Sequence, residues 1–467
     1  MKYRKAGFLF LILSLLSGCM LGPSYKRPDL DLPAGQPADR FGVFTTQSWW
    51  RVFEDPVLDS LEQEALSYNQ DLKAAMARVD EARADVNLAR ADQMPSLSAS
   101  LQGGRENNNA AGLPGSGTQN PGHAAVSMSF ELDLWGKYRR LSQAAKARLL
   151  ASEAAQDTVR LTLTADVANQ YFTLRMLDEQ LIILQQTLQA REENVRIYEA
   201  RYKSGYCTEV DLRRVQADKE SVQAQMQQLA LQREQTETAL AVLLGQSPRE
   251  IIAQNIPRGK TLRELNLVPD VPENLPSDLL ERRPDIRSAE EQLIAANADV
   301  GAARAAYFPS ISLTGAAGFA SNSLSHLFTG GAGIWSLAGE AMAPIFEGGK
   351  IRAQNKKAEA TYREQLAVYT KTVQTAFQEA YDALTANRLD RDIFDSYQAQ
   401  TEAMQRSYEL TKKQEDAGLI GVTDLLNVEE NLLSAEMNLA TARKNELSAV
   451  VNLCKALGGG WQIGQNE

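Results

Sequence analysis

The chain has 467 residues, enough for two or more ordinary domains. With 44% hydrophobic and 23% charged residues it has a folding composition, which excludes a wholly disordered chain. Acidic residues outnumber basic ones, 59 to 49, so nothing suggests the basic face that a nucleic-acid binder needs.

The N-terminus reads as a processing signal. Lys2, Arg4 and Lys5 form a positive region, Phe8 to Leu16 form a short apolar core, and Leu16 to Cys19 spell LSGC. The apolar run falls short of the roughly 20 residues that a spanning helix needs. LSGC resembles a bacterial lipobox, in which cleavage leaves Cys19 as the first, lipidated residue. The alternative is an ordinary signal peptide with an incidental cysteine. Met20 in the next position, rather than Asp, resembles the outer-membrane sorting default of Gram-negative lipoproteins. Cleavage removes three of the 49 basic residues and leaves 46 against 59 acidic, a net charge of −13. Cys207 and Cys454 then remain, too few and too distant for a disulfide framework, and both read as unpaired.

The first punctuated stretch is RADVNLARADQMPSLSAS, from Arg83 to Ser100. A polar helix ends near Gln93. Pro95 has no N–H to donate and biases Met94 towards extended geometry, so the break is sharp. From Ser96 onward SLSASL alternates as a strand. The next strand is AVSMSFELDLW, with Val126, Met128, Phe130, Leu132 and Leu134 on one face and Ser127, Ser129, Glu131 and Asp133 on the other. No proline then occurs until Pro248, and from Arg139 to Gln246 the only glycines are Gly205 and Gly245. Such stretches, rich in Ala, Leu, Gln, Glu and Arg, read as helix. Val167, Leu174, Leu181, Leu188, Val195 and Tyr202 recur every seven residues, and Leu177, Leu184 and Tyr198 fill positions three later. That indicates coiled-coil-like packing. A helix from Gly136 to Gly205 would run roughly 100 Å at 1.5 Å per residue.

The chain then writes the same pattern again. NADVGAARAAYFPSISLT, from Asn297 to Thr314, repeats the first stretch with nine of eighteen positions identical and Pro309 in place of Pro95. SISL from Ser310 alternates. From Ile334 to Phe346 the alternation is weaker, with Trp335, Leu337, Ala341 and Ile345 on one parity. GKYRR at Gly136 matches GKIRA at Gly349, SGYCTEVDL at Ser204 matches AGLIGVTDL at Ala417, and Gly245 matches Gly458, each at an offset of 213. The chain is two copies of one unit: helix, strand, strand, long helix, turn, long helix. Strands of roughly 10 residues can cross an outer membrane when tilted, although a half-buried soluble sheet would alternate in the same way. Four strands cannot close a barrel, which needs about eight, and an open edge cannot sit in lipid. If the strands are in a membrane, several chains must share one barrel: two would reach eight strands and three would reach twelve.

These pieces resemble one family. The lipobox followed by GPSYKRP, WWRVFEDPVLDSLEQEAL from Trp49, FELDLWGKYRR from Phe130, the run LLERRPDIRSAEEQLIAANADVGAARAAYFPSISLTGAAG from Leu279, and PIFEGGKIRA from Pro344 are together similar to the TolC-like outer-membrane factors, in the lipoprotein OprM/NodT-type branch. The resemblance implies a mainly α chain with a small β part. It implies a trimeric, 12-stranded β-barrel, four strands from each chain, continuing into a long periplasmic α-barrel. On this reading residues 1–18 are signal peptide and 19–56 a lipid-anchored N-terminal and equatorial segment. Residues 57–247 and 277–458 are the two repeats, 248–276 an equatorial linker and 459–467 a tail. The implied activity is that of a passive exit duct for small toxic compounds. Its partners would be a homotrimer, a periplasmic adaptor, an inner-membrane RND-type pump and outer-membrane lipid. A type I protein-secretion duct and a periplasmic adaptor lipoprotein remain as alternatives, although an adaptor would carry one hairpin, not a tandem repeat.

The resemblance also names residues. The helix–helix turns would be the periplasmic tips that meet the adaptor, through Gly205, Tyr206 and Thr208 in the first repeat and Gly418, Leu419 and Gly421 in the second. The family's gate would map to Thr423, Asp424 and Asn427, with Glu430 one turn on. Three copies of Asp424 near an axis would repel, raise one another's pKa and attract cations. Asp424 could also cap the following helix. Other members often carry a carboxylate where Asn427 stands, so cation trapping falls to Asp424. Pro95 and Pro309 would be the helix–strand junctions. No catalytic set is expected: His123 and His326 lie in loops rich in Gly, Ser and Asn without ligand spacing, and GGK at Gly348 lacks the phosphate-loop spacing. No metal or cofactor is expected.

Overall fold

The two long stretches without proline and nearly without glycine are helical. The structure is a computed structural model that describes residues 20–32, 48–108, 117–253, 256–265 and 283–459. The signal peptide, the lipidation site at Cys19, residues 266–276 of the linker and the tail from 460 lie outside the described residues. The helices are α1 (Pro56–Tyr68), α2 (Gln70–Ala91), α3 (Lys137–Lys203), α4 (Glu209–Leu243), α5 (Pro248–Ala253), α6 (Pro284–Ala305), α7 (Lys350–Asp416) and α8 (Val422–Ala456). The strands are β1 (Ser96–Gly103), β2 (Glu106–Asn108), β3 (Gly117–Gln119), β4 (Gly122–Leu132), β5 (Ser310–Ser321) and β6 (Gly333–Met342). The two repeats show in the helix lengths: α3 and α7 have 67 residues each, and α4 and α8 have 35 each. No described helix is long and apolar enough to cross a membrane.

The chain divides into two compact units. The first comprises residues 1–30, 77–153 and 288–371. Its centre is an antiparallel sheet in the order β1-β4-β5-β6, so β1 and β6 are the edges and the β4–β5 pairing joins the two repeats. The register assigns the faces, because directly opposed residues project to the same side. Leu97 pairs with Met128, Phe130 with Leu313, and Ala317 with Trp335, which makes one face apolar. Ser98 pairs with Ser127, Ser129 with Thr314, and Ser312 with Glu340, which makes the other polar. Among the described residues neither face is covered: on the apolar side Leu101 is 76% exposed and Trp335 82%, and on the polar side Ser98, Ser336 and Glu340 are exposed.

The strands end where the chemistry stops them. β6 finishes at Met342 rather than continuing to Phe346, because Pro344 cannot donate to a ladder. β4 finishes at Leu132, and Trp135 leaves the sheet to donate its indole N–H to the carbonyl of Pro309 at 2.7 Å. That bond ties the end of one hairpin to the start of the other. The short β2–β3 ribbon lies in a loop whose Asn- and Gly-rich sequence carries no alternation. Behind the sheet's helical end, Ala144 and Ala147 of α3 meet Ala295 and Ala298 of α6, small side chains that let two helices approach closely.

The second unit comprises residues 31–76, 154–287 and 372–467. Its main core gathers Trp49, Trp50 and Phe53 from a 3-10 turn, Leu58 and Leu61 of α1, Tyr171, Phe172 and Leu174 of α3, Leu240 of α4 and Leu447 to Cys454 of α8. The motif FEDPVL has a local reason. Asp55 caps α1 by accepting from the Val57 amide at 2.9 Å, Pro56 starts the helix without needing a hydrogen bond, and the Tyr171 hydroxyl donates to Asp55 at 2.6 Å. Residues 19–56, read from sequence as one segment, therefore divide: 20–30 belong to the first unit and 48–55 to the second.

Candidate functional site

The two helix–helix turns follow one design. In the first, Gly205 adopts φ +74°, a left-handed conformation that costs glycine little, and the Tyr206 amide donates back to the Arg201 carbonyl at 2.8 Å. In the second, Gly418 adopts φ +70° and the Leu419 amide donates to the Gln414 carbonyl at 2.9 Å. Both turns lift an apolar side chain into solvent: Tyr206 is 85% exposed and Leu419 75%.

Beyond the turns the copies diverge. Thr208 caps α4 in a reciprocal box, accepting from the Asp211 amide at 3.2 Å while its own amide donates to the Asp211 carboxylate at 3.0 Å. The counterparts at the same offset are Gly421 and Asp424. Gly421 holds the cap position with no side chain to contribute. The helix-capping role considered for Asp424 is therefore not seen: its carboxylate has no hydrogen-bond partner among the described residues, and it stands exposed in the first turn of α8. Asn427 and Glu430 are also exposed. Thr423 is half-buried, and its hydroxyl accepts from the Arg214 guanidinium of α4. Asp424, Asn431, Asn438 and Asn445, seven residues apart, form an exposed stripe along α8 that carries one charge and then neutral amides.

Beneath the turns, polar ties join the helices. Arg201 of α3 donates to Glu415 of α7 at 2.7 Å, and the Tyr198 hydroxyl donates to the same carboxylate at 3.1 Å. Burial and the neighbouring carboxylate push the Tyr198 phenol up to about 12. Further along α3 the heptad seam runs Leu177, Leu184, Arg191, Tyr198, all buried, whereas Tyr202 on the other heptad row is exposed. Leu184 packs with Val222 and Leu433, and Tyr198 packs with Val215 and Leu426. Between these apolar layers Arg191 is 1% exposed and is ion-paired with Asp218 of α4 and Glu429 of α8. Burial drives the Arg191 guanidinium below its ordinary pKa and the Asp218 carboxyl above its own, each opposed by the other's charge. The expectations from sequence missed this cluster. Its signal was there: a single arginine in a row of Leu, Leu and Tyr at heptad spacing.

Pro95 and Pro309 precede β1 and β5 directly. His123 lies in β4 opposite Gln102 and Ala320, and His326 lies in a 3-10 turn beside Ser325. No three His, Cys, Asp or Glu side chains among the described residues converge as a metal site. Cys207 and Cys454 are free thiols.

Comparison with known proteins gives these features a context. A family model described as outer membrane efflux protein matches residues 61–246 and 275–459. The chain is 35% identical to the probable efflux pump outer membrane protein TtgC of Pseudomonas putida over 97% of this chain and 95% of that one. It is 34% identical to the outer membrane protein OprJ of Pseudomonas aeruginosa over 98% and 96%. Its fold superposes on the crystal structure of the Campylobacter jejuni CmeC outer membrane channel with a TM-score of 0.90, at 29% identity and 96% coverage of both chains.

Proposed function

This chain belongs to the outer membrane efflux protein family, and we propose that it is the outer-membrane exit duct of a tripartite efflux system, working as a passive trimer without a catalytic step. The observation that carries the proposal is the uncovered sheet. It has one apolar face, one face of Ser, Thr and Glu, and two open edges. Such a sheet satisfies its backbone in lipid only if copies join edge to edge into a closed barrel, apolar face outward and polar face towards a water-filled lumen. Three copies give twelve strands. Lipidation at Cys19 would anchor each copy beside the barrel, and the proline-rich segments outside the repeats would form an equatorial belt.

In this assembly the turns at Gly205 and Gly418 form the periplasmic end. Tyr206, Thr208, Leu419 and Gly421 would be offered to the adaptor. Thr423, Asp424, Asn427 and Glu430 would line the closed gate, with the uncapped Asp424 setting its charge. The amide stripe beyond it offers no charge to hold a passing solute, which suits a duct for chemically varied cargo supplied by an RND-type pump. The test is deletion followed by a toxicity panel of solvents, dyes and antibiotics, with the partner pump deleted in parallel. Sensitivity should rise in the single deletion and rise no further in the double. Unchanged sensitivity with loss of a secreted protein would point to a secretion duct instead.

A further inference from the structure

The two helix–strand junctions are copies in sequence and opposites in environment. At the first, each cation of GKYRR has a partner. Lys137 lies 3.6 Å from Glu131, Arg139 pairs with Asp133 at 3.3 Å, and Arg140 donates to the carbonyls of Leu21 and Gly22 at 3.0 and 3.3 Å. The N-terminal segment seals this junction so closely that a Cβ on Gly136 would meet Met20 at 2.9 Å.

At the second junction the offset of 213 replaces Glu131 by Pro344 and Asp133 by Phe346. The cations remain as Lys350 and Arg352, and Lys356 is added one turn on in place of Gln143. All three are exposed, and none has a carboxylate within ion-pair distance among the described residues. A Cβ on Gly349 would meet nothing within 4 Å, so the N-terminal segment does not close over this turn as it does over Gly136. Ile345 and Phe346, ahead of these cations, are 98% and 88% exposed. Behind the cations lies a cavity of about 560 Å³, within the range of ligand-holding clefts, lined by Arg304, Tyr307, Phe308, Arg352, Lys356 and Glu359. Glu359 is already engaged by Arg304 at 3.1 Å, which leaves Arg352 and Lys356 uncompensated. Leu21 and Gly22, just past the predicted lipid-bearing cysteine, form part of its wall. Cations in the first turn of α7 also oppose the helix dipole, a cost that a bound anion would offset.

We propose that this second junction is a binding site for an anionic phospholipid of the membrane's periplasmic leaflet. Arg352 and Lys356 hold the headgroup phosphate, and Ile345, Phe346, Tyr307 and Phe308 lie against the acyl chains at the interface. The chemistry matches lipid rather than a soluble anion, because unpaired cations sit beside exposed apolar and aromatic side chains. The first junction does not need such a ligand, since its own carboxylates and the N-terminal strap take that place. This inference rests on the reading of the sheet as membrane-spanning.

The test uses the full-length protein reconstituted in phosphatidylcholine bilayers with a spin-labelled probe, either phosphatidylglycerol or phosphatidylcholine. Lipid at the protein surface appears as a motionally restricted component. Restricted phosphatidylglycerol should exceed restricted phosphatidylcholine, and the preference should fall on the order of fivefold for each charge removed in Arg352→Gln and Lys356→Gln. The charge-keeping pair Arg352→Lys and Lys356→Arg should retain it, which guards against a misfolded Gln variant. Lys137→Gln at the first junction should leave it unchanged. Excess inorganic phosphate should lower the preference no more than an equal ionic strength of chloride. The proposal is overturned if the Gln variants keep the wild-type preference, if Lys137→Gln loses it equally, or if phosphate specifically abolishes it. Absence of any restricted component would overturn the membrane reading beneath it, a different result from restricted lipid without headgroup preference.

Discussion

Arg191 and Glu429 stand 238 positions apart in sequence and form an ion pair in the interior of the second unit, with Asp218 on the other side of the same guanidinium. The cluster occupies one layer of an otherwise apolar heptad seam and links α3, α4 and α8. Removing one member of a buried ion cluster strands the others, so Arg191→Ala should cost about 3–5 kcal/mol of stability. Replacing all three residues by Leu should recover most of that loss, because well-packed apolar groups do as well as a buried ion pair or better. Chemical denaturation of the second-unit helices, followed by circular dichroism, measures both. A change below about 0.5 kcal/mol for Arg191→Ala would mean that the layer does not bear on stability.

Glu62 of α1 is completely buried, and neither carboxylate oxygen has a hydrogen-bond partner among the described residues. Burial, reinforced by the nearby Asp59, raises its pKa well above the ordinary value. The folded chain thus keeps a proton that the unfolded chain releases near pH 4.3 (about the free glutamate value). Its contribution to stability is complete below that pH and is lost as pH rises through the folded pKa. Glu62→Gln should therefore melt higher than the parent at pH 8, with the difference closing as pH falls towards about 4. Parallel melting curves at every pH would contradict this.

The sheet register makes a face-specific prediction. Leu337 pairs with Gly315 on the apolar face, and Ser336 pairs with Ala316 on the polar one. Leu337→Arg should weaken folding into liposomes by up to about 2–4 kcal/mol, whereas Ser336→Arg should cost less than about 1. Equal costs at these neighbouring positions would mean that the strands do not separate lipid from lumen.

Asp424 is the exposed, uncapped carboxylate at the second turn. In planar bilayers the Asp424→Ala protein should lose cation selectivity and block by multivalent cations, and Asn427→Ala should change neither. Wild-type conductance, block and selectivity in Asp424→Ala would remove Asp424 from the gate.

Much of this architecture was legible in the residues because it depends on local chemistry. Missing prolines and glycines gave the long helices, Gly205 and Gly418 gave the turns, and the Leu97–Ser98 alternation gave the strand faces. What escaped depends on partners distant in sequence. Nothing near Arg191 announces Asp218 or Glu429. The strap from Met20 to Arg27 has no periodicity, yet Arg27 reaches Glu290 of α6 at 2.7 Å. The weak alternation past Met342 suggested a longer strand, and Pro344 decided otherwise. At the candidate gate, sequence placed Asp424 but not its freedom, which follows from Gly421 standing where the first repeat has Thr208.

The central claim is that separate chains close one barrel through β1 and β6. It is tested most directly by pairing a cysteine in β1, at Ser98, with cysteines placed in turn along β6 in a background lacking Cys207 and Cys454. Oxidation in native membranes followed by denaturing electrophoresis reads the covalent assembly. The account predicts that at least one β6 position gives a ladder ending at the trimer. A ladder that ends at the dimer, or no cross-link along the whole of β6, would contradict it.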